Sequence, residues 1–149
     1  MNGDVISQLV SKDRRLVRVF RGVFAADTLP VFLCSSSSHA FVVNTHPHDK
    51  PGEHWVAVYI TPFKKAIYFD SFGLAPWQDD IRKFIKENSL TLVYNSTPIQ
   101  SLISQNCGLF CIYFLQKMTL GASLTEMLSV FKPYDPAYND GFIQRLFHY

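Results

Sequence analysis

The segment QSLISQNCGLFC, residues 100–111, brings a cysteine to the start of a nearly continuous apolar run. Cys107 would lie in the first turn of a helix, where free backbone N–H groups and the helix dipole stabilise a thiolate by about 0.3–1 kcal/mol. Its small neighbours, Asn106 and Gly108, would leave room for a substrate backbone to approach. The segment therefore predicts a nucleophile, although a free cysteine taken alone is more often an inert core residue.

A histidine and an aspartate have the spacing of a base and its orienting group. His54 begins the β-rich run HWVAVYI, Asp70 ends the run AIYFD, and TPFKK connects the two. We predict a β-hairpin in which Ile60 pairs with Ala66, so that His54 and Asp70 form a diagonal pair on one face. A slip of one residue would move them to opposite faces. Taken singly, each has an ordinary explanation as a loop or turn residue.

Two glutamines are candidates for donating a side-chain N–H to an oxyanion. Gln100 lies seven residues before Cys107 and Gln105 lies two before it, and spacing alone does not choose between them. The backbone N–H of Cys107 would be the second donor.

Trp55, next to His54, is predicted to pack over the site or to form a wall of a substrate groove. The chain order His, Asp, Gln, Cys predicts thiol hydrolysis and excludes the papain order, in which the cysteine comes first.

The remaining patterns predict an α+β fold forming a single domain over residues 1–149. A central buried helix, 107–121, with Asn106 as its N-cap, is expected to pack on a small, mainly antiparallel sheet, because its residues are apolar on nearly every side. The periodicity predicts strands at 16–27, 41–45, 54–60, 66–70 and 90–94, and helices at 3–12, 75–89, 123–131 and 140–147. The last of these strands is expected to be buried.

The amino-acid composition indicates the compartment in which the chain is expected to work, but it does not identify a reaction. The chain has 149 residues, three cysteines and a net charge of +2, which neither indicates nor excludes a nucleic-acid partner. Three cysteines do not form a disulfide framework, so we expect a reducing intracellular compartment. The charged N-terminus does not fit a signal peptide, and no apolar run reaches the ~20 residues that span a bilayer. We expect a monomer with no membrane partner.

The motifs GEHWVAVYI, YFDSFG and PIQSLISQNCGLFC resemble those of the adenovirus-type cysteine proteases of viruses and virus-like transposable elements. The resemblance extends over roughly residues 15–120. It implies a permuted papain-like fold shared with ubiquitin-like-protein proteases, a triad of Cys107, His54 and Asp70, and Gln100 as the oxyanion donor. It further implies cleavage of viral structural precursors during virion maturation, in the host nucleus and the virion.

The sequence differs from the adenovirus enzymes in three respects. Adenovirus enzymes carry Glu in place of Asp70, and they continue further, so a reduced C-terminal helical region is expected. Their activating viral peptide is tethered through a cysteine between the acid and the nucleophile, whereas residues 35–106 contain no cysteine. No cofactor is expected, and an activating peptide or DNA is implied by the resemblance without a matching tether. Cys111 is assigned to the core.

Three other interpretations stay open from the residues. SUMO- and ubiquitin-specific proteases share the His-Trp, Asp, Gln and Cys-Gly order, and some bacterial effectors with a related triad transfer acetyl groups. A metal-binding or interaction module would use the loose cluster Cys34, His39, His46 and His48, whose spacing fits no standard zinc pattern, so no metal is predicted. A catalytically inactive scaffold is disfavoured because all four candidate participants are present.

Overall fold

The structure, a computed structural model, describes residues 1–31, 36–50 and 54–149. Its helices and strands alternate irregularly along the chain, which confirms the predicted α+β class. The helices are α1 (Gly3–Ser11), α2 (Leu16–Val19), α3 (Asp79–Asn88), α4 (Cys107–Thr119), α5 (Leu124–Leu128) and α6 (Pro136–Phe147). The strands are β1 (Phe20–Ala25), β2 (His39–Asn44), β3 (Trp55–Ile60), β4 (Lys65–Phe69) and β5 (Thr91–Tyr94).

The five strands form one sheet in the order β1-β2-β3-β4-β5. The central pairs β2–β3 and β3–β4 are antiparallel, but the outer pairs β1–β2 and β4–β5 are parallel. The sheet is therefore mixed, and the predicted mainly antiparallel arrangement is wrong at both edges. Between β4 and β5 the chain passes through α3, and such a crossover returns the next strand in the same direction.

The central helix α4 packs against β3 and is buried along most of its length, as predicted. Apolar side chains of β3 and β4 cover one face of the sheet against α4, where the rings of Phe69 and Phe114 stack with centroids 5.0 Å apart. The other face packs on α3 through Ile81, Phe84 and Ile85. Because the sheet has a cover on both faces, its central strands are apolar throughout rather than alternating.

The hairpin between β3 and β4 has the predicted register. Ile60 pairs with Ala66, and the ladder continues to the pair Ala57 and Phe69. Lys64 takes a left-handed conformation in the turn, with φ of 61°. This register leaves His54, just before β3, and Asp70, just after β4, at the same end of the sheet.

Three helices begin at a residue other than the predicted one, and in each case a side chain accepts backbone N–H groups near that start. Asp13 accepts the backbone N–H groups of Arg15 and Leu16, so a helical turn, α2, precedes the strand that was predicted from residue 16. Gln78 accepts the N–H of Ile81, and α3 begins only at Asp79. Asp135 likewise caps α6, which begins before the predicted residue 140.

One burial prediction is also wrong. Strand β5 is mostly exposed because it lies at the edge of the sheet, with Leu92 and Tyr94 partly in solvent. Trp77 lies within the range predicted as a helix, 75–89, but it precedes α3 and is 54% exposed. Among the residues that the structure describes, no helix is long and apolar enough to cross a membrane.

Candidate active site

The hairpin register brings His54 and Asp70 into direct contact. His54 Nε2 lies 2.8 Å from Asp70 Oδ1, and the carboxylate is fully buried. The same oxygen accepts the backbone N–H of Phe72 at 2.8 Å, and the Phe72 ring stacks on the imidazole with centroids 4.5 Å apart. The imidazole is therefore held at one edge by a carboxylate and on one face by an aromatic ring.

Cys107 is the first residue of α4 and is 8% exposed. The His54 side chain and the backbone N–H groups of Trp55 and Gly108 lie close enough to the Cys107 sulfur to lower the pKa of the thiol. Because Nε2 of His54 faces Asp70, the ring nitrogen left for the sulfur is Nδ1. The three side chains form a continuous chain from carboxylate to imidazole to thiol.

This contact shifts the ionisation of both reactive groups. Burial raises the pKa of the Cys107 thiol, but the hydrogen bonds from His54, Trp55 and Gly108 outweigh burial, and the pKa lies below its ordinary value. Burial lowers the pKa of His54, whereas its bonds to Asp70 and Cys107 raise it, with a net result of about 9. Both shifts therefore favour the ion pair of thiolate and imidazolium over the neutral pair of thiol and imidazole.

The thiol of Cys111, one helical turn further along α4, has its pKa shifted in the opposite direction. Its side chain is completely buried, and burial raises the pKa of its thiol well above the ordinary value. Of the two cysteines that the structure describes, only Cys107 is activated. Cys111 is a core residue, as expected.

The pH dependence of thiol alkylation should report the activated pair. Thiolate at Cys107 forms above its lowered pKa, and the imidazolium persists up to about pH 9, so the ion pair exists between these limits. We expect iodoacetamide to alkylate Cys107 at pH 6–7 much faster than an ordinary thiol with a pKa of about 8.5. Peptide mapping by mass spectrometry would compare Cys107 with Cys34 in the same sample. Equal rates at the two thiols would contradict the ion pair.

Gln100 lies in the same cleft as His54 and Cys107 and is almost completely buried. Its Oε1 accepts the hydroxyl of Ser71, and its Nε2 donates to the carbonyl oxygen of Ser104 at 3.0 Å and to Oγ at 2.9 Å. Gln105 also lines the cleft, but its side chain is exposed. The structure thus brings both candidate oxyanion donors to the nucleophile and holds only Gln100 in a defined orientation.

The three residues predicted to bind substrate have different surroundings. Trp55 lines the cleft, and its Nε1 donates to the carbonyl oxygen of Met1 at 3.0 Å. Asn106 is buried and is the N-cap residue of α4, as predicted, but its side chain donates to Asp140 and forms no capping bond. A Cβ at Gly108 would lie 2.7 Å from Met1 Sδ, so the space beside this glycine is filled by the Met1 side chain.

The histidines of the loose Cys/His cluster, the alternative metal site considered from the sequence, have protein partners. The His39 ring accepts a hydrogen bond from Arg21 Nε at 2.8 Å, and His48 pairs with Asp27 at 2.6 Å. Cys34, the one sulfur of that cluster, lies outside the described residues. Within residues 1–31, 36–50 and 54–149, no three His, Cys, Asp or Glu side chains are grouped closely enough to hold a metal ion.

Sequence reasoning missed a buried asparagine that holds the acidic residue. Asn95 Oδ1 accepts the backbone N–H of Asp70 at 3.0 Å, and its Nδ2 donates to the Asp70 carbonyl oxygen at 2.6 Å. Asn95 directly follows β5, the parallel neighbour of β4, and neighbouring parallel strands end at the same edge of a sheet. A correct prediction of that parallel pair would have placed Asn95 beside Asp70.

The cleft that these residues line has a volume of about 560 Å³, and the chain that forms it is similar to known proteins. Residues 20–124 match a family model described as adenovirus endoprotease. The chain belongs to this family. The protease of porcine adenovirus A serotype 3 is 33% identical over 121 residues, covering 71% of this chain and 58% of that protein. The protease of ovine adenovirus D serotype 7 is 30% identical over 113 residues, covering 64% and 54%. The chain thus spans somewhat more than half the length of these relatives.

Solved structures show the same fold at low sequence identity. The central domain of an uncharacterized protein, Lpg1148, from Legionella pneumophila aligns with a TM-score of 0.57 and 15% identity, covering 99% of this chain and 97% of that one. The SUMO protease Ulp1 aligns with a TM-score of 0.53 and 15% identity, covering 99% and 76%. The predicted relation of the fold to ubiquitin-like-protein proteases is therefore confirmed.

Proposed function

We propose that this member of the adenovirus endoprotease family is a cysteine endopeptidase with Cys107 as nucleophile, His54 as acid and base, and Asp70 as the group that orients His54. The observation that carries the proposal is the contact of His54 with both the buried Asp70 carboxylate and the Cys107 sulfur. Cys107 opens into a cleft that has room for a peptide. A buried structural cysteine would need neither an activating base nor access to solvent.

In the proposed acylation step, the Cys107 thiolate attacks the carbonyl carbon of the scissile peptide bond. A carbon–sulfur bond forms, and the carbonyl electron pair moves to oxygen to give a tetrahedral oxyanion. His54 then donates its Nδ1 proton to the amide nitrogen as the carbon–nitrogen bond breaks. The amine product leaves, and the acyl group stays on Cys107 as a thioester.

Deacylation repeats the sequence with water as the nucleophile. The neutral imidazole of His54 takes a proton from water, whose oxygen attacks the thioester carbon. The carbon–sulfur bond breaks and restores the ion pair of thiolate and imidazolium. Asp70 holds Nε2 throughout, so the opposite nitrogen, Nδ1, stays directed at the reacting atoms.

We assign the oxyanion to the backbone N–H of Cys107 and to one N–H of the Gln100 amide, whose other N–H is shared between the carbonyl oxygen and the hydroxyl of Ser104 as a three-centre bond. The spacing of Gln100 from Cys107 in the family motif and its buried position in the cleft support this choice over Gln105. A preorganised donor is worth more to a reaction than a mobile one, because the protein does not reorganise as charge develops. The exposed Gln105 lacks that advantage.

The proposed substrates are viral structural precursors, cut during virion maturation in the host nucleus and the virion. The adenoviral origin of the relatives supports this setting. Residues 35–106 contain no cysteine, so an activating peptide would bind without the disulfide tether, and the net charge of +2 gives little support for stimulation by DNA. We propose a monomeric enzyme that needs no cofactor.

The fold shared with a SUMO protease supports one alternative, removal of a ubiquitin-like modifier. The test offers the purified chain two substrates, the precursor proteins of its own virus and a ubiquitin-like conjugate. We expect internal cuts in the precursors, mapped by mass spectrometry of the new termini, and intact conjugates. Cleavage of conjugates with intact precursors would favour the alternative. Cys107→Ser controls for contaminating proteases in both assays.

A further inference from the structure

A buried aspartate on the last helix binds the segment that joins Gln100 to Cys107. Asp140 of α6 is 8% exposed. Its Oδ1 accepts the Ser104 hydroxyl at 2.7 Å and the Asn106 side-chain amide at 3.1 Å. Its Oδ2 accepts the backbone N–H of Ser101 at 3.1 Å. One carboxylate thus binds three residues of a six-residue segment, 101–106, that has no helix or strand of its own.

The Ser104 hydroxyl links the Asp140 carboxylate to the side chain of Gln100. A hydroxyl has one proton, and Ser104 donates it to Asp140, so its lone pairs face the Nε2 of Gln100. The Ser104 carbonyl oxygen, also an acceptor, faces the same Nε2. At the other end of the amide, the Ser71 hydroxyl donates to Oε1. A flipped amide would place Oε1 against two acceptors, so these contacts allow one orientation only.

The negative charge of Asp140 makes this orientation robust. A neutral carbonyl oxygen would also accept the Ser104 proton, but a carboxylate accepts without donating and forms bonds roughly twice as strong. Burying a carboxylate is costly unless donors surround it, and here three donors do. A segment held only for packing would not require a buried charge.

We propose that Asp140 is a positioning residue for the oxyanion donor, because through Ser104 it fixes the side-chain amide of Gln100 beside the nucleophile. The proposal rests on the proposed function and extends it to helix α6. Asp140 lies beyond residues 20–124, which match the family model. It contacts neither His54 nor Cys107, so its effect is confined to the half of the site that stabilises charge on the substrate.

The first variant is Asp140→Asn, which keeps the shape of the side chain and removes its charge. We expect kcat for peptide cleavage to fall roughly 10- to 100-fold, less than the 10²–10³-fold typical of deleting an oxyanion donor. KM and the rate of Cys107 alkylation should stay unchanged, because the ion pair is built from other elements. Asp135→Asn, the same change at the exposed N-cap of the same helix, should leave kcat unchanged.

A double-mutant cycle separates positioning from a general structural role. Gln100→Ala alone should lower kcat by roughly 10²–10³-fold. Adding Asp140→Asn to Gln100→Ala should have almost no further effect, because the group that Asp140 positions is gone. Additive losses in the double variant would overturn the proposal.

The outcomes also separate this proposal from the proposed function. An inactive wild-type chain with a reactive Cys107 would overturn both, whereas an active wild type with kcat unchanged in Asp140→Asn would overturn the positioning role alone. If thermal unfolding shows that Asp140→Asn does not fold, Ser104→Ala decides. It removes the hydroxyl that joins Asp140 to Gln100 and keeps the backbone carbonyl contact of residue 104 and the bonds of Asp140 to Ser101 and Asn106. An unchanged kcat would again overturn the proposal, because the proposed link runs through that hydroxyl.

Discussion

Replacement of Cys107 by serine is expected to abolish peptide cleavage, with a loss in kcat of about 10⁴-fold or more. Serine is close to cysteine in size, so the buried start of α4 should stay folded. Its hydroxyl, however, does not ionise near neutral pH, and the surroundings that lower the pKa of the thiol cannot bring it into range. The measurement is the initial rate of cleavage of a fluorogenic peptide, with thermal unfolding of both proteins recorded alongside.

The control for this variant is Cys111→Ala. It removes a thiol from the same helix, one turn further into the core, where burial keeps the sulfur protonated. We expect a small loss of thermal stability, because a buried side chain is truncated, and near-normal kcat. If Cys107→Ser kept substantial activity, or if Cys111→Ala lost it all while remaining folded, the nucleophile would have been assigned to the wrong sulfur.

The part of the site that lies on the hairpin was predictable because local chemistry determines it. Two β-rich runs joined by five residues specify a hairpin, and burial on both faces requires a definite register. Once Ile60 faces Ala66, the distance between His54 and Asp70 follows from strand geometry. This is why a single sequence could predict a contact between residues sixteen positions apart.

Contacts between distant segments were not predictable by the same route. Asn106 has a residue type that caps helices well, but in the structure its amide donates to Asp140, thirty-four residues away. Asn95 reaches Asp70 only because β4 and β5 are parallel, and periodicity carries no information about strand direction. The exposure of β5 has the same origin, since an edge position is a property of the whole sheet.

Substitution of His54 by alanine should reduce kcat as severely as loss of the nucleophile, by about 10⁴-fold or more. The imidazole is required both to keep the thiolate at neutral pH and to protonate the leaving amine. Its removal leaves Cys107 buried without its strongest stabilising partner, so the pKa of the thiol rises. Alkylation of Cys107 at pH 6–7 should slow markedly in the same variant, which links the kinetic defect to the ionisation of the sulfur.

His48→Ala provides a matched control, because His48 also pairs with an aspartate, Asp27, at 2.6 Å, but on the surface. This pair lies away from the nucleophile and takes no part in proton transfer there, so the variant should cleave at the wild-type rate. Both variants remove an imidazole that pairs with a carboxylate. A difference between their cleavage rates therefore reflects the location of His54 beside Cys107 and not the loss of such a pair in general. Two results would contradict the role of His54 as the base: rapid cleavage by His54→Ala, or alkylation of Cys107 in that variant at the wild-type rate. Either would mean that the helix N-terminus and the backbone N–H groups activate the sulfur without the imidazole.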